Sequence, residues 1–119
     1  MNEARHAHGL VPLRIDSRLQ RTARRHSKAM LRTDNFSHGA FAARIRRAGV
    51  RARCIGENLA WAVGALAEAH SIVNLWLGSP EHRANLLRPG YRTVGVGGRT
   101  GTFSGYAGAV MITTDFAGR

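Results

Sequence analysis

Two hydrophobic periods run through the chain, one near 3.6 residues and one of two, and the change between them divides it. Leu19, Ala23, His26 and Met30 follow at spacings of four, three and four, which puts them on one face of a helix. Arginines and Lys28 occupy much of the rest of that segment. Asp16 is a suitable N-cap, and Thr33-Asp34-Asn35 is a cluster of turn formers that ends the helix. Asn2 to His8 predicts a short opening helix closed by Gly9. Leu10-Val11-Pro12-Leu13 then reads as an extended link, because Pro12 disfavours helix just before it. Phe41 to Ala48 predicts a short helix with Phe41, Ile45 and Ala48 on one side. Between Arg53 and Ala62, Ile55, Leu59 and Trp61 alternate as in a half-buried strand. Ala65 to Leu77 predicts a second strong helix burying Leu66, Ala69, Val73 and Trp76-Leu77, with Gly78 and Ser79-Pro80 as its stop. Arg92 to Gly98 reads as a glycine-lined strand, Arg99 to Thr102 as a hairpin turn, and Phe103 to Phe116 as a long β stretch. Helices first and an antiparallel meander last predict an α+β domain. At 119 residues, one domain spanning 1–119 is expected.

Charge narrows the picture. The chain carries 18 basic and 7 acidic residues, a net +11, and Lys28 is the only lysine. Such an excess suits an anionic partner, whether phospholipid headgroups or a cell-wall polymer, or else a solvated surface. No zinc-finger spacing, RNP-like motif or clear helix-turn-helix supports nucleic acid as the partner. No apolar stretch is long enough to span a membrane. The first residues lack the apolar core of a signal peptide, which leaves a cytosolic protein and a trimmed mature domain both open. Cys54 is the only cysteine, so no internal disulfide forms, and it reads as a small structural hydrophobe.

Candidate chemistry sits in three motifs: Phe36-Ser37-His38, Gly56-Glu57-Asn58 and Ser79-Pro80-Glu81-His82-Arg83-Ala84-Asn85-Leu86. Two imidazoles and a carboxylate are the parts of a metal site or an acid/base site. The plainer alternative is that Glu57 and Asn58 brace loops through backbone hydrogen bonds. His26 reads as a core residue bonded to backbone or water, and His6, His8 and His70 as surface or packing residues. Gly95, Gly97 and Gly98 lack the following helix and Lys-Ser/Thr pair of a phosphate loop. Close packing against helices explains them better.

Read in order, these motifs resemble the CAP superfamily of cysteine-rich secretory proteins, antigen 5 and plant pathogenesis-related protein 1, also called SCP-like proteins. The opening Asn2-Glu3-Ala4-Arg5 through Leu13, the Leu19-to-Met30 helix, Tyr91 through Gly97 and Thr114-Asp115-Phe116-Ala117-Gly118 extend the resemblance over almost the whole chain. The Ser-Pro-x-His-Arg-x-Asn form resembles the bacterial branch. The resemblance implies an α-β-α sandwich, a small antiparallel sheet with helices on both faces. It also implies a cleft of two histidines and two glutamates that holds a divalent cation in some members. Those positions fall on His38, Glu57 and His82, while the second glutamate falls on Ser79, three after Trp76. Glu81 is a neighbour in sequence, not its equivalent; Ser37 and Asn58 are supporting residues. With one carboxylate missing, His38, His82 and Glu57 are expected to hold zinc or another divalent cation only weakly, and no cofactor is required.

The family likeness further implies a secreted or cell-surface domain, expected to be monomeric. It would bind lipid, cell-wall or host ligands through the cleft or the basic surface. A zinc-assisted hydrolase is the first alternative, although no G-x-S-x-G motif is present. An interaction module with a vestigial cleft is the second.

Overall fold

In the computed structural model, which describes residues 1–119, α1 (Asn2–Ala7) leads through the two-residue strand β1 (Arg14–Ile15) into α2 (Ser17–Thr33) and α3 (Phe41–Arg47). There follow β2 (Cys54–Ala62), a single 3-10 turn (Gly64–Ala67), α4 (Ala69–Leu77), α5 (Pro80–Leu86), β3 (Tyr91–Phe103) and β4 (Tyr106–Gly118). The four strands form one sheet in the order β1-β3-β4-β2. The β2–β4 and β3–β4 pairs are antiparallel, but β1 lies parallel to β3, with Arg14 beside Thr93 and Ile15 beside Val94. The expected antiparallel sheet therefore gains one parallel strand at its margin. Asp16 caps α2 as predicted, accepting from the amides of Arg18 and Leu19.

Alternation along β2 separates the two faces. Leu59 packs with Met30 of α2, and its neighbour Ala60 packs with Ile72 and Trp76 of α4 and Leu86 of α5. Helices thus cover both sides, giving the expected α-β-α layering. The glycines of β3 set the distance on the α2 side. A Cβ on Gly95 would lie 2.2 Å from the Leu19 carbonyl carbon, and one on Gly97 2.2 Å from the Arg24 nitrogen. Their missing side chains let the helix backbone rest directly on the strand. There the Ser27 hydroxyl donates to the Gly97 carbonyl at 2.7 Å and meets Thr113 Oγ1 at 2.8 Å.

Three local expectations are corrected. The segment from Ala65 is a 3-10 turn followed by a shorter helix, Leu66 is 71% exposed, and Ile72 with Trp76 supplies the buried face. Pro80 does not only stop α4; it opens α5 at its first turn, where its missing N–H costs nothing. Arg99 to Thr102 continues the strand, and the chain turns instead at Ser104-Gly105, both at positive φ (49° and 82°). That backbone suits a two-residue turn between twisted antiparallel strands.

One charged side chain belongs to the interior. Arg5 of α1 is fully buried. Its Nε donates to the Val11 carbonyl at 2.9 Å. Nη1 reaches the carbonyls of Leu86 (2.9 Å) and Arg88 (3.0 Å), and Nη2 reaches that of Tyr91 (3.3 Å). It makes no ion pair with a carboxylate; four carbonyl dipoles hold its charge.

Candidate functional site

Because successive residues of a strand point to opposite faces, Glu57 and Asn58 enter different layers. Gly56 just before them has no room for a side chain, since a Cβ there would lie 2.1 Å from the Tyr91 hydroxyl. On the α2–α3 side the Glu57 carboxylate is fully enclosed. Its Oε1 receives His38 Nδ1 at 2.8 Å and its Oε2 receives Arg44 Nη2 of α3 at 2.7 Å. Arg44 also donates to the His38 carbonyl at 2.9 Å, holding the loop that carries the imidazole. His26 reinforces the same loop, its Nε2 standing 2.7 Å from the Ser37 carbonyl. Burial and the Arg44 charge lower its pKa, so it is neutral and donates that bond. The structural reading of His26 stands.

Asp115 of β4 lies directly opposite Glu57 in the strand register and is equally buried, with Arg44 Nη1 3.6 Å from its Oδ2. Two carboxyls side by side away from water cannot both ionise. Burial first, and then the hydrogen bond to Glu57, push the Asp115 pKa up to about 9. Burial opposes ionisation of Glu57 too. The bonds from Asp115, Arg44 and His38 outweigh it and hold Glu57 below the usual carboxylate range. Ionised, Asp115 would have no donor for either oxygen; protonated, it donates to Glu57. At neutral pH the cluster thus holds one carboxylate charge, one shared proton and one guanidinium. His38 stays 53% exposed at its margin.

The third motif builds a different cluster on the other side of β2. Ser79 Oγ meets His82 Nδ1 at 3.0 Å, and the His82 ring packs against Trp76. Asn58 donates to the His82 carbonyl at 3.0 Å. Asn85 donates to Asn58 Oδ1 at 2.9 Å and to the Glu57 carbonyl at 3.1 Å. Trp76 Nε1 donates to the Leu59 carbonyl at 3.0 Å. These bonds bind α4 and α5 to β2. Asn58 is a brace, as the plainer sequence reading had it, and Asn85 is its partner. Glu81 is exposed and makes no hydrogen bond or ion pair, and Ser37 contributes its carbonyl rather than its hydroxyl.

The structure therefore joins His38 to Glu57 and His82 to Ser79, but does not gather all three expected ligands. No three His, Cys, Asp or Glu side chains stand where they would share a metal ion. Both Glu57 oxygens are engaged, and Arg44 already supplies a cation to the carboxyl pair. This arrangement does not fit a three-ligand zinc centre built from His38, Glu57 and His82.

With fold and motif geometry in place, the relationships of the chain become decisive. Residues 1–114 match the family model described as the cysteine-rich secretory protein family, CAP. The chain belongs to the CAP family. A curated relative, YkwD of Bacillus subtilis (strain 168), is 33% identical over 101 residues, covering 81% of this CAP domain but 38% of YkwD. Among solved structures, an extracellular protein containing an SCP domain from Bacillus anthracis str. Ames superposes with a TM-score of 0.82 at 29% identity. The match covers 99% of this chain and 37% of that one. An outer surface protein from Borrelia burgdorferi shares the fold, with a TM-score of 0.80 at 23% identity over 99% of this chain and 86% of its own. The CAP domain thus spans well under half of YkwD and of the Bacillus anthracis protein.

Outside the two clusters the CAP domain is strongly basic. Of its 18 lysines and arginines, only Arg18 and Arg44 stand within ion-pair distance of a carboxylate, which leaves 16 without one. No helix is long and apolar enough to cross a membrane. Cys54 is half-buried, packs at the margin of the core and donates its thiol hydrogen to the Arg119 carbonyl at 2.8 Å, so it is less enclosed than the small buried hydrophobe expected.

Proposed function

We propose that this CAP domain is a binding module of a secreted or surface-exposed bacterial protein and that its ligand is anionic, a lipid headgroup or a cell-wall polymer. The observation that carries this reading is the set of 15 basic side chains, apart from the buried Arg5, without a carboxylate partner. Unpaired like charges repel one another, and a polyanion relieves that cost while gaining arginine's planar, paired donors. The similar Bacillus anthracis protein is extracellular and the Borrelia protein lies at the outer surface, which supports the location. Retention on phosphatidylglycerol vesicles and wall preparations should fall at least tenfold between about 0.05 M and about 0.5 M salt, as screening shortens the reach of each charge. Equal retention at both salts, or equal retention on neutral vesicles, would overturn the reading.

A second reading rests on the bond between His38 Nδ1 and Glu57. A buried, ionised carboxylate orients an exposed imidazole whose Nε2 makes no hydrogen bond within the protein. That is the geometry of a general base acting on water, with no metal needed. Esters and peptides screened with the wild type and His38→Ala should show a loss of roughly 10²–10⁴-fold if the imidazole transfers the proton. A hydrolase activity unchanged in His38→Ala would remove this pair from the chemistry.

A further inference from the structure

We infer that the groove between α2 and α3 binds a compact ligand carrying two or more phosphate groups; this deepens the anionic-ligand reading and rests on it. The groove has a volume of about 420 Å³ and is lined by Arg18, Arg21, Thr22 and Arg25 of α2 and by Arg44 and Arg47 of α3, with Ala48 as its one apolar wall. That size lies within the roughly 300–1,000 Å³ of small-ligand sites, but the lining is almost purely cationic.

The helix geometry explains why the arginines converge. Positions 18, 21 and 25 are three and four apart, so they stand one above another on a single face of α2. Arg44 and Arg47 are likewise three apart on α3, the helix across the groove. Like charges at these spacings destabilise a helix, and nothing within the protein offsets three of them. Arg18 is paired with Asp16 at 2.8 Å, and Arg44 with Glu57 at 2.7 Å. Arg21, Arg25 and Arg47 have no carboxylate partner and are exposed.

Three uncompensated guanidinium groups facing one space set the ligand's charge. A phosphate monoester carries about −1.5 to −2 near neutral pH, so two phosphates supply about −3 to −4. Each guanidinium presents a planar fork that matches two phosphate oxygens, which a lysine would not do. A single phosphodiester would leave the groove with excess positive charge. A diphosphate neutralises it, and the two phosphodiesters of a cardiolipin-type headgroup, at about −1 each, offset most of it.

Inorganic pyrophosphate is the probe for the soluble source, and vesicles containing phosphatidylglycerol or its two-phosphate relative cardiolipin for the lipid source. Pyrophosphate should bind the wild type and raise its Tm. The Arg25→Gln/Arg47→Gln variant should bind it at least tenfold more weakly. The Arg14→Gln/Arg99→Gln variant, with the same loss of charge outside the groove, should stay within twofold of wild type. All four arginines are exposed, and the groove variant without ligand should be no less stable than wild type. Pyrophosphate that displaces the protein from cardiolipin vesicles would assign the groove to the lipid headgroup. Binding without displacement would assign it to a soluble phosphate compound. Equal weakening in both double variants, or no pyrophosphate binding by the wild type, overturns the groove. Salt-sensitive vesicle retention that survives the groove substitutions would leave the general anionic reading standing while removing this site.

Discussion

Arg5→Ala should cost on the order of 4 kcal/mol, seen as a fall in Tm of roughly 15 °C in thermal denaturation. The substitution leaves the carbonyls of Val11, Leu86, Arg88 and Tyr91 without the donors they now share. A buried acceptor left unpaired costs about 1–3 kcal/mol, and removing so large a side chain leaves a cavity. Total stability of a domain is only about 5–15 kcal/mol, so the loss approaches complete unfolding at growth temperature. Two of the acceptors, Leu86 and Arg88, lie at the carboxyl end of α5, where the helix dipole favours a cation. Arg5→Lys should recover only part of the loss, because a single ammonium cannot span acceptors that a planar fork reaches together. A penalty for Arg5→Ala below about 1 kcal/mol, the value of an ordinary surface change, would show that the four bonds are replaceable by water.

Arg44→Leu should be of similar size, about 3–5 kcal/mol, because it strands the enclosed Glu57 charge. A pH series isolates the carboxyl pair. Asp115 is held protonated in the fold, with its pKa pushed up to about 9 from an ordinary 3.8. The folded state therefore keeps a proton that the unfolded chain releases. That contribution is fully present below about pH 3.8 and is lost as pH rises towards about 9. Glu57 acts in the opposite sense: its pKa lies below 4.5 in the fold, so its contribution is lost as pH falls through that lowered value. Urea denaturation should show wild-type stability falling between about pH 5 and about pH 8.5 by up to ~1.4 kcal/mol per unit. Asp115→Asn keeps a donor for Glu57 but has no proton to lose, so the decline should flatten. Equal slopes in the two proteins would mean that Asp115 is not the proton holder.

What the sequence makes legible, and what it does not, follows from how far each signal reaches. The α2 stripe of Leu19, Ala23, His26 and Met30 is local and amphipathic, and its helix is read almost to the residue. Pro80 is ambiguous, since the ring that ends one helix is equally suited to begin another; α5 was hidden by that ambiguity. Leu66 fits the apolar period of α4, but Glu68 is extended and breaks the helix between them. The turn at Ser104-Gly105 carries a weak signal beside the glycine-rich Arg99 to Thr102, and only the pairing of β3 with β4 locates it. Within the site, His38 and Glu57 were nameable because rare residue types sat in motifs. Arg44 was one arginine among many on a short helix, and its role depends on a carboxylate 13 positions away. Asp115 was visible only as part of a closing motif, because its partner is set by strand register. The separation of His82 from Glu57 follows from alternation along β2, which no motif spacing reveals.

The bonds from Trp76 and Asn85 to the carbonyls of Leu59 and Glu57 have a consequence for partners. β2 is the outermost strand on its side of the sheet, and those two carbonyls face away from β4. Left bare, they would be a template on which an extended peptide, or another copy of the chain, adds a strand. Indole and amide donors already occupy them, so a partner would have to dislodge α4 and α5 to pair there. Along that margin the protein resists edge-to-edge aggregation, and anything that docks must be recognised by side chains rather than by backbone.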